Sequence, residues 1–144
     1  MPITDSNEQY FKDGGWSWNG SIWIKGGLAF EYAEQVLGRD VNLDADAGTN
    51  FLYSTAVPAN YIWIITAMEV SDDTSGVSFC KLGVLVGETW YWLAASGSLG
   101  AGVGFSWAGN VYLVADDKLQ IVFSGATAGD VLYFAYAGYA MRLT

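Results

Sequence analysis

The side chains of this 144-residue chain that could do chemistry are mainly carboxylates: fifteen Asp and Glu, against six Lys and Arg and no histidine. They gather in stretches that read as turns, at Asp44 and Asp46, Asp72 and Asp73, Asp116 and Asp117, and Glu88. One chemistry open to them is calcium binding, which takes about 6–8 oxygen ligands from carboxylates and loop carbonyls. Asn42-Leu43-Asp44-Ala45-Asp46-Ala47-Gly48 alternates acidic and apolar residues as some calcium loops do, but lacks a third carboxylate and a distal bidentate glutamate. It reads as a solvated turn whose aspartates bond their own backbone. A second chemistry is glycoside hydrolysis by paired carboxylates, although any acidic chain offers such pairs. Nucleophilic catalysis lacks its usual base, because Ser, Thr and Cys80 have no histidine to activate them. Cys80 stands among Val77, Phe79, Leu82 and Val84 and reads as a small buried hydrophobe. As a lone cysteine it has no partner for an internal disulfide. Gly97-Ser98-Leu99-Gly100-Ala101-Gly102 lacks the lysine of a phosphate-binding loop. No catalytic residue, cofactor or metal is therefore expected.

Binding chemistry is better supplied, by seven Trp, nine Tyr and seven Phe. In a strand, Trp90 and Trp92 share one face and Tyr91 takes the other, and Trp107 could join the pair. Exposed, these rings would form a platform for sugar rings; buried, they would anchor a core or an interface. The rest of the composition favours interfaces. Only 15% of residues are charged, against about 25% in ordinary soluble domains. Hydrophobic residues make up 52%, and mean hydropathy is +0.24. The apolar excess points to surface buried against other subunits, the alternative being a monomer with a glycine-rich neutral surface. A net charge of −9 repels phosphate backbones and anionic lipid, so neither nucleic acid nor membrane is an expected partner. The longest apolar stretch, near Val131 to Met141, is too short to cross a bilayer. The segment Met1 to Gln9 carries no secretory pattern.

The elements that would position these residues are strands. Asn19-Gly20, between Trp16-Ser17-Trp18 and Ser21-Ile22-Trp23-Ile24, favours a two-residue hairpin turn. Leu28 to Tyr32 fits either a strand or a turn of helix, and Phe30 to Leu37 is the one segment with amphipathic helical spacing. Short strands are expected at Phe51 to Ser54, Tyr61 to Val70, Val77 to Val86 and Thr89 to Ala94, with a glycine loop after them. Ala108-Gly109 reads as a hairpin between Gly102 to Trp107 and Asn110 to Val114. Lys118 to Ser124 alternates, with Leu119, Ile121 and Phe123 inward, and Val131 to Leu143 forms a last strand bent at Gly138. Tyr61 to Val70 is apolar on both faces, with Tyr61, Trp63 and Ile65 opposing Ile62, Ile64 and Met68. A two-layer sandwich normally leaves one face wet, so a covering arm or subunit seam is expected there. The fold class is all-β, an antiparallel β-sandwich or jelly roll. An N-terminal arm over 1–15 precedes one domain over 16–144, with a hairpin at 16–25.

Several segments together resemble bacteriophage virion proteins with a jelly-roll domain. These are Val57-Pro58-Ala59-Asn60-Tyr61-Ile62-Trp63, Ala115-Asp116-Asp117-Lys118-Leu119-Gln120-Ile121, Gly125-Ala126-Thr127-Ala128-Gly129-Asp130-Val131-Leu132 and Gly138-Tyr139, with Trp18-Asn19-Gly20-Ser21-Ile22-Trp23 ahead of them. The resemblance covers residues 16 to 144. It implies a virion location, a homotrimer, and contacts with the major capsid protein or other virion proteins. It also implies a role as a head-decoration (cement) protein, with a tail-fibre receptor-binding or carbohydrate-binding module as the alternative. It implies no catalytic residue. The expected interface and arm contacts are Tyr10, Phe11, Trp16, Trp18, Trp23, Trp63 and Tyr139; in the alternative, Trp90, Trp92 and Trp107 carry a ligand.

Overall fold

The computed structural model describes residues 16–18, 23–25 and 30–143, with side chains from Glu34 to Leu143. The expected arm, including Tyr10 and Phe11, lies outside the described residues. Twelve strands are found among them: β1 (Trp16–Trp18), β2 (Trp23–Lys25), β3 (Phe30–Asn42), β4 (Gly48–Tyr53), β5 (Tyr61–Asp72), β6 (Gly76–Val77), β7 (Phe79–Val86), β8 (Thr89–Ala95), β9 (Leu99–Gly100), β10 (Phe105–Leu113), β11 (Lys118–Ala126) and β12 (Leu132–Leu143). Eight of these form two four-stranded sheets, in the orders β10-β5-β12-β3 and β4-β11-β7-β8, with every pairing antiparallel. Only the β7–β8 hairpin stays within one sheet; every other step between these eight strands crosses to the other. That path is a jelly roll.

The two sheets meet over one apolar core. Leu119, Ile121 and Phe123 of β11 all point into it and are fully buried, as their alternation predicts. They face Leu132, Phe134 and Tyr136 of β12 and Trp63, Ile65, Met68 and Val70 of β5. Burying each such side chain contributes roughly 1.5–3 kcal/mol relative to leaving it in water.

Three expectations are corrected. Phe30 to Leu37 is strand, not helix: β3 pairs with β12 without interruption from Asn42↔Leu132 to Ala33↔Met141, and this ladder outweighs a weak helical period. Ala108-Gly109 is not a hairpin. β10 runs through it against β5, with a bulge between Ala108 and Val111 that absorbs one extra residue. The expected turn at Asn19-Gly20 lies outside the described residues; of the ribbon, β1 and β2 pair antiparallel with Trp18 opposite Trp23. Met68 faces inward with Trp63 and Ile65, not outward with Ile64. The register of β12 on β5 shifts between Ala137 and Gly138, leaving Thr66 as the extra residue that inverts the alternation, and its Oγ1 donates to the Ala137 carbonyl at 3.3 Å. Gly138 lies at this shift, where a Cβ would run into the Ile64 carbonyl.

The acidic turns are used as hinges of the fold. Asp72, fully buried, accepts from the Thr74, Ser75 and Gly76 amides at 2.9, 3.3 and 3.1 Å. Asp130 accepts from the Ser75 hydroxyl at 2.7 Å and the Thr127 amide at 2.6 Å, joining two distant turns. Asp117 accepts from the Val114 amide at 2.9 Å and closes the turn into β11. Asp40 accepts from the Tyr53 amide at 3.0 Å and ties β3 to β4 across the sandwich edge.

Candidate functional site

The outward faces of the two sheets carry the groups that could meet a partner. On β4-β11-β7-β8 the register sets Tyr53, Gln120, Gly83 and Trp92 in one row across the sheet. Trp92 is 55% exposed and Tyr53 40%, so two rings rise at either side of a low floor. The Lys81 ammonium lies 5.1 Å from the Trp92 ring centre and 5.4 Å from that of Phe79, a cation–π geometry that fixes the Trp92 plane. Trp90 shares this face, opposite Leu85, and packs over Gly83, where a Cβ would come within 2.6 Å of its indole nitrogen. That buried indole N–H has no hydrogen-bond partner. Trp90 and Trp92 thus stand together as expected, with Tyr91 on the opposite face. Trp107 does not join them. It sits on β10 in the other sheet, opposite Met68, and packs against the core.

On β10-β5-β12-β3 the outward face is a shallow groove of about 610 Å³. The register builds it row by row. One row runs Leu37, Ala137, Ala67, Ala108; the next runs Arg39, Ala135, Glu69, Ser106; on the other side stand Gln35, Tyr139, Ile64 and Tyr112. Alanine methyls form the floor, and Leu37 and Tyr112, 67% and 69% exposed, project beside it. Tyr139, an expected interface residue, lies on this face and is 41% exposed. Trp63, also expected at an interface, is packed inside the domain, with its ring centre 6.3 Å from that of Tyr136. Trp16, Trp18 and Trp23 are placed by backbone pairing alone. The groove residues were not singled out from the sequence, although Tyr133-Phe134-Ala135-Tyr136-Ala137 carries a signal: outward alanines alternate with inward aromatics.

The remaining chemistry-bearing groups serve the fold. Burial pushes the Cys80 thiol up to about 12, with the Asp72 charge adding to the rise and Ser96 opposing it. Such a thiol is not a nucleophile near neutral pH. Burial opposes ionisation of Asp130, but the Ser75 hydroxyl and the Thr127 amide overcome it and hold its carboxyl below the ordinary value. Asp44 and Asp46 are exposed, and their amides bond to Asn42 and Asn50 side chains at 3.1 Å each. No group of three or more His, Cys, Asp or Glu among the described residues could hold a metal ion.

No protein-family model matches the chain, and no curated protein matches it. Solved structures match loosely. One is the structure of infectious bursal disease virus, Gx strain: 15% identity, TM-score 0.41, covering 80% of this chain but only 32% of that one. Another belongs to Bacillus endospore appendages, described as disulfide-linked pili: 15% identity, TM-score 0.43, covering 81% of this chain and 95% of that one. A third is a pentameric capsid protein from metagenomic phage sequences: 17% identity, TM-score 0.34, covering 99% of this chain and 76% of that one. The jelly roll is assigned from this chain's own strand order.

Proposed function

We propose that the chain is a structural protein of a tailed-phage virion, and within that class a capsid decoration protein that stabilises the head through contacts between copies and with the shell. One observation carries this: large apolar side chains are exposed on the outward faces of both sheets, with Leu37, Tyr112 and Tyr139 on one and Phe51, Tyr53 and Trp92 on the other. Apolar surface exposed on a sheet face is suited to burial against another protein. The low charge content and the turn pattern shared with virion jelly rolls support the same assignment. The work would be mechanical, with burial at subunit seams holding a shell against pressure from within. Sedimentation of the purified protein at micromolar concentration should show an oligomer, and imaging of particles should show copies spread over the head. A monomer that binds no particle would overturn the assignment.

A second function is favoured by the row Tyr53, Gln120, Gly83, Trp92. Two exposed rings beside a floor bearing an amide suit a saccharide, as in a tail-fibre receptor-binding module. In that case Trp92→Ala should abolish retention on a glycan array, and imaging should find few copies, at the tail.

A further inference from the structure

We infer that the alanine-floored groove on β10-β5-β12-β3 is a two-fold contact between copies of this chain, with Arg39 of each copy paired to Glu69 of the other. The inference rests on the proposal that copies assemble, and it names the surface and the geometry.

The register makes the groove complementary to itself. Arg39 on β3 and Glu69 on β5 both stand opposite Ala135 on β12, one on each side of it. Two strand spacings separate their backbones, about 10 Å. Both side chains are exposed, and neither has an ion-pair partner among the described residues. Now let a two-fold axis run along β12, above its outward face. The operation exchanges the positions of β3 and β5 and keeps each row at its own height. Arg39 of one copy then lies over Glu69 of the other, and the reverse. Ala135 lies over Ala135 and Ala137 over Ala137, while the exposed Tyr133 and Tyr139 rings on the same strand meet their own copies on either side of this alanine floor.

The neighbouring row repeats this match in apolar form. Leu37 and Ala67 flank Ala137 as Arg39 and Glu69 flank Ala135. The same axis sets Leu37, 67% exposed, over the small Ala67 of the other copy. Each copy thus offers a projecting side chain where the other offers a methyl group, and a positive charge where the other offers a negative one. Such an isologous contact contains each pairing twice. A closed threefold ring has no two-fold axis, so the contact calls for an even number of copies.

The test uses the full chain in sedimentation velocity at micromolar concentration, with circular dichroism as the folding control. The wild type should sediment as an even-numbered oligomer. Arg39→Glu and Glu69→Arg should each weaken it at least ~10-fold, because like charges then face each other twice. The double variant, with the charges exchanged, should recover pairing to within about 3-fold, because opposite charges again meet. Ala137→Arg should block association, and Glu69→Gln serves as a milder variant should a reversal disturb folding. An odd-numbered oligomer, or an oligomer indifferent to all these changes, overturns the groove contact and leaves the structural role standing. A wild-type monomer that also fails to bind particles overturns both. If Ala137→Arg lowers the melting temperature of a chain whose mass is unchanged, another segment of the same chain fills the groove and the inference falls.

Discussion

Replacing Gly83 by alanine places a methyl group where the structure has no room for it. The added Cβ would sit 2.6 Å from the Trp90 indole nitrogen and 2.6 Å from the Trp92 Cα, and against the Tyr91 carbonyl. Two of these three neighbours are backbone, so rotating a side chain cannot relieve the clash. β8 must lift from β7, and it is the edge strand of its sheet, paired with no other strand among the described residues. Overpacking of this kind costs about 1–3 kcal/mol. For a domain of this size each kcal/mol moves Tm by roughly 3–4 °C, so a fall of about 3–12 °C is expected. Near-ultraviolet circular dichroism should change in parallel, because the Trp90 and Trp92 rings move with the strand. Gly97→Ala is the control: nothing lies within 4 Å of its added Cβ, and Tm should stay put. If Gly83→Ala matches the wild type in both Tm and aromatic signal, Trp90 does not pack over Gly83 and the aromatic row is wrongly built.

Three further outcomes follow from the same structure. Trp90→Phe removes the orphan indole N–H, whose burial costs about 1–3 kcal/mol, so thermal melts should show stability unchanged or slightly raised, while Trp90→Ala should lower it. The Asp130 carboxyl lies below its ordinary 3.8 in the folded chain, so its contribution is complete above that pH and is lost as pH falls through the folded value; urea midpoints between pH 5 and pH 2 should fall more steeply for the wild type than for Asp130→Asn. Cys80, fully buried and with its thiol raised to about 12, should resist Ellman's reagent at pH 8 until urea unfolds the chain; rapid labelling of the folded protein would contradict its placement in the core.

The sequence by itself determined the local elements wherever a period-2 pattern met turn residues. The β7–β8 hairpin around Gly87-Glu88 and the inward set Leu119, Ile121 and Phe123 are both legible there, because each depends on neighbours only a few residues apart. The shared face of Trp90 and Trp92 follows from the same alternation. Tertiary structure alone decided the rest. The bulge at Thr66 turns Met68 inward, and nothing local to β5 announces it, since the extra residue is defined only against β12. Phe30 to Leu37 becomes strand because a ten-residue ladder with the far end of the chain outweighs a weak helical period. Trp107 parts from Trp90 and Trp92 because β8 and β10 fall in different sheets. The groove depends most on tertiary structure. Leu37, Ala67, Ala108 and Ala137 are far apart in the chain, and Arg39 and Glu69 flank one alanine only because β12 pairs with β3 on one side and β5 on the other.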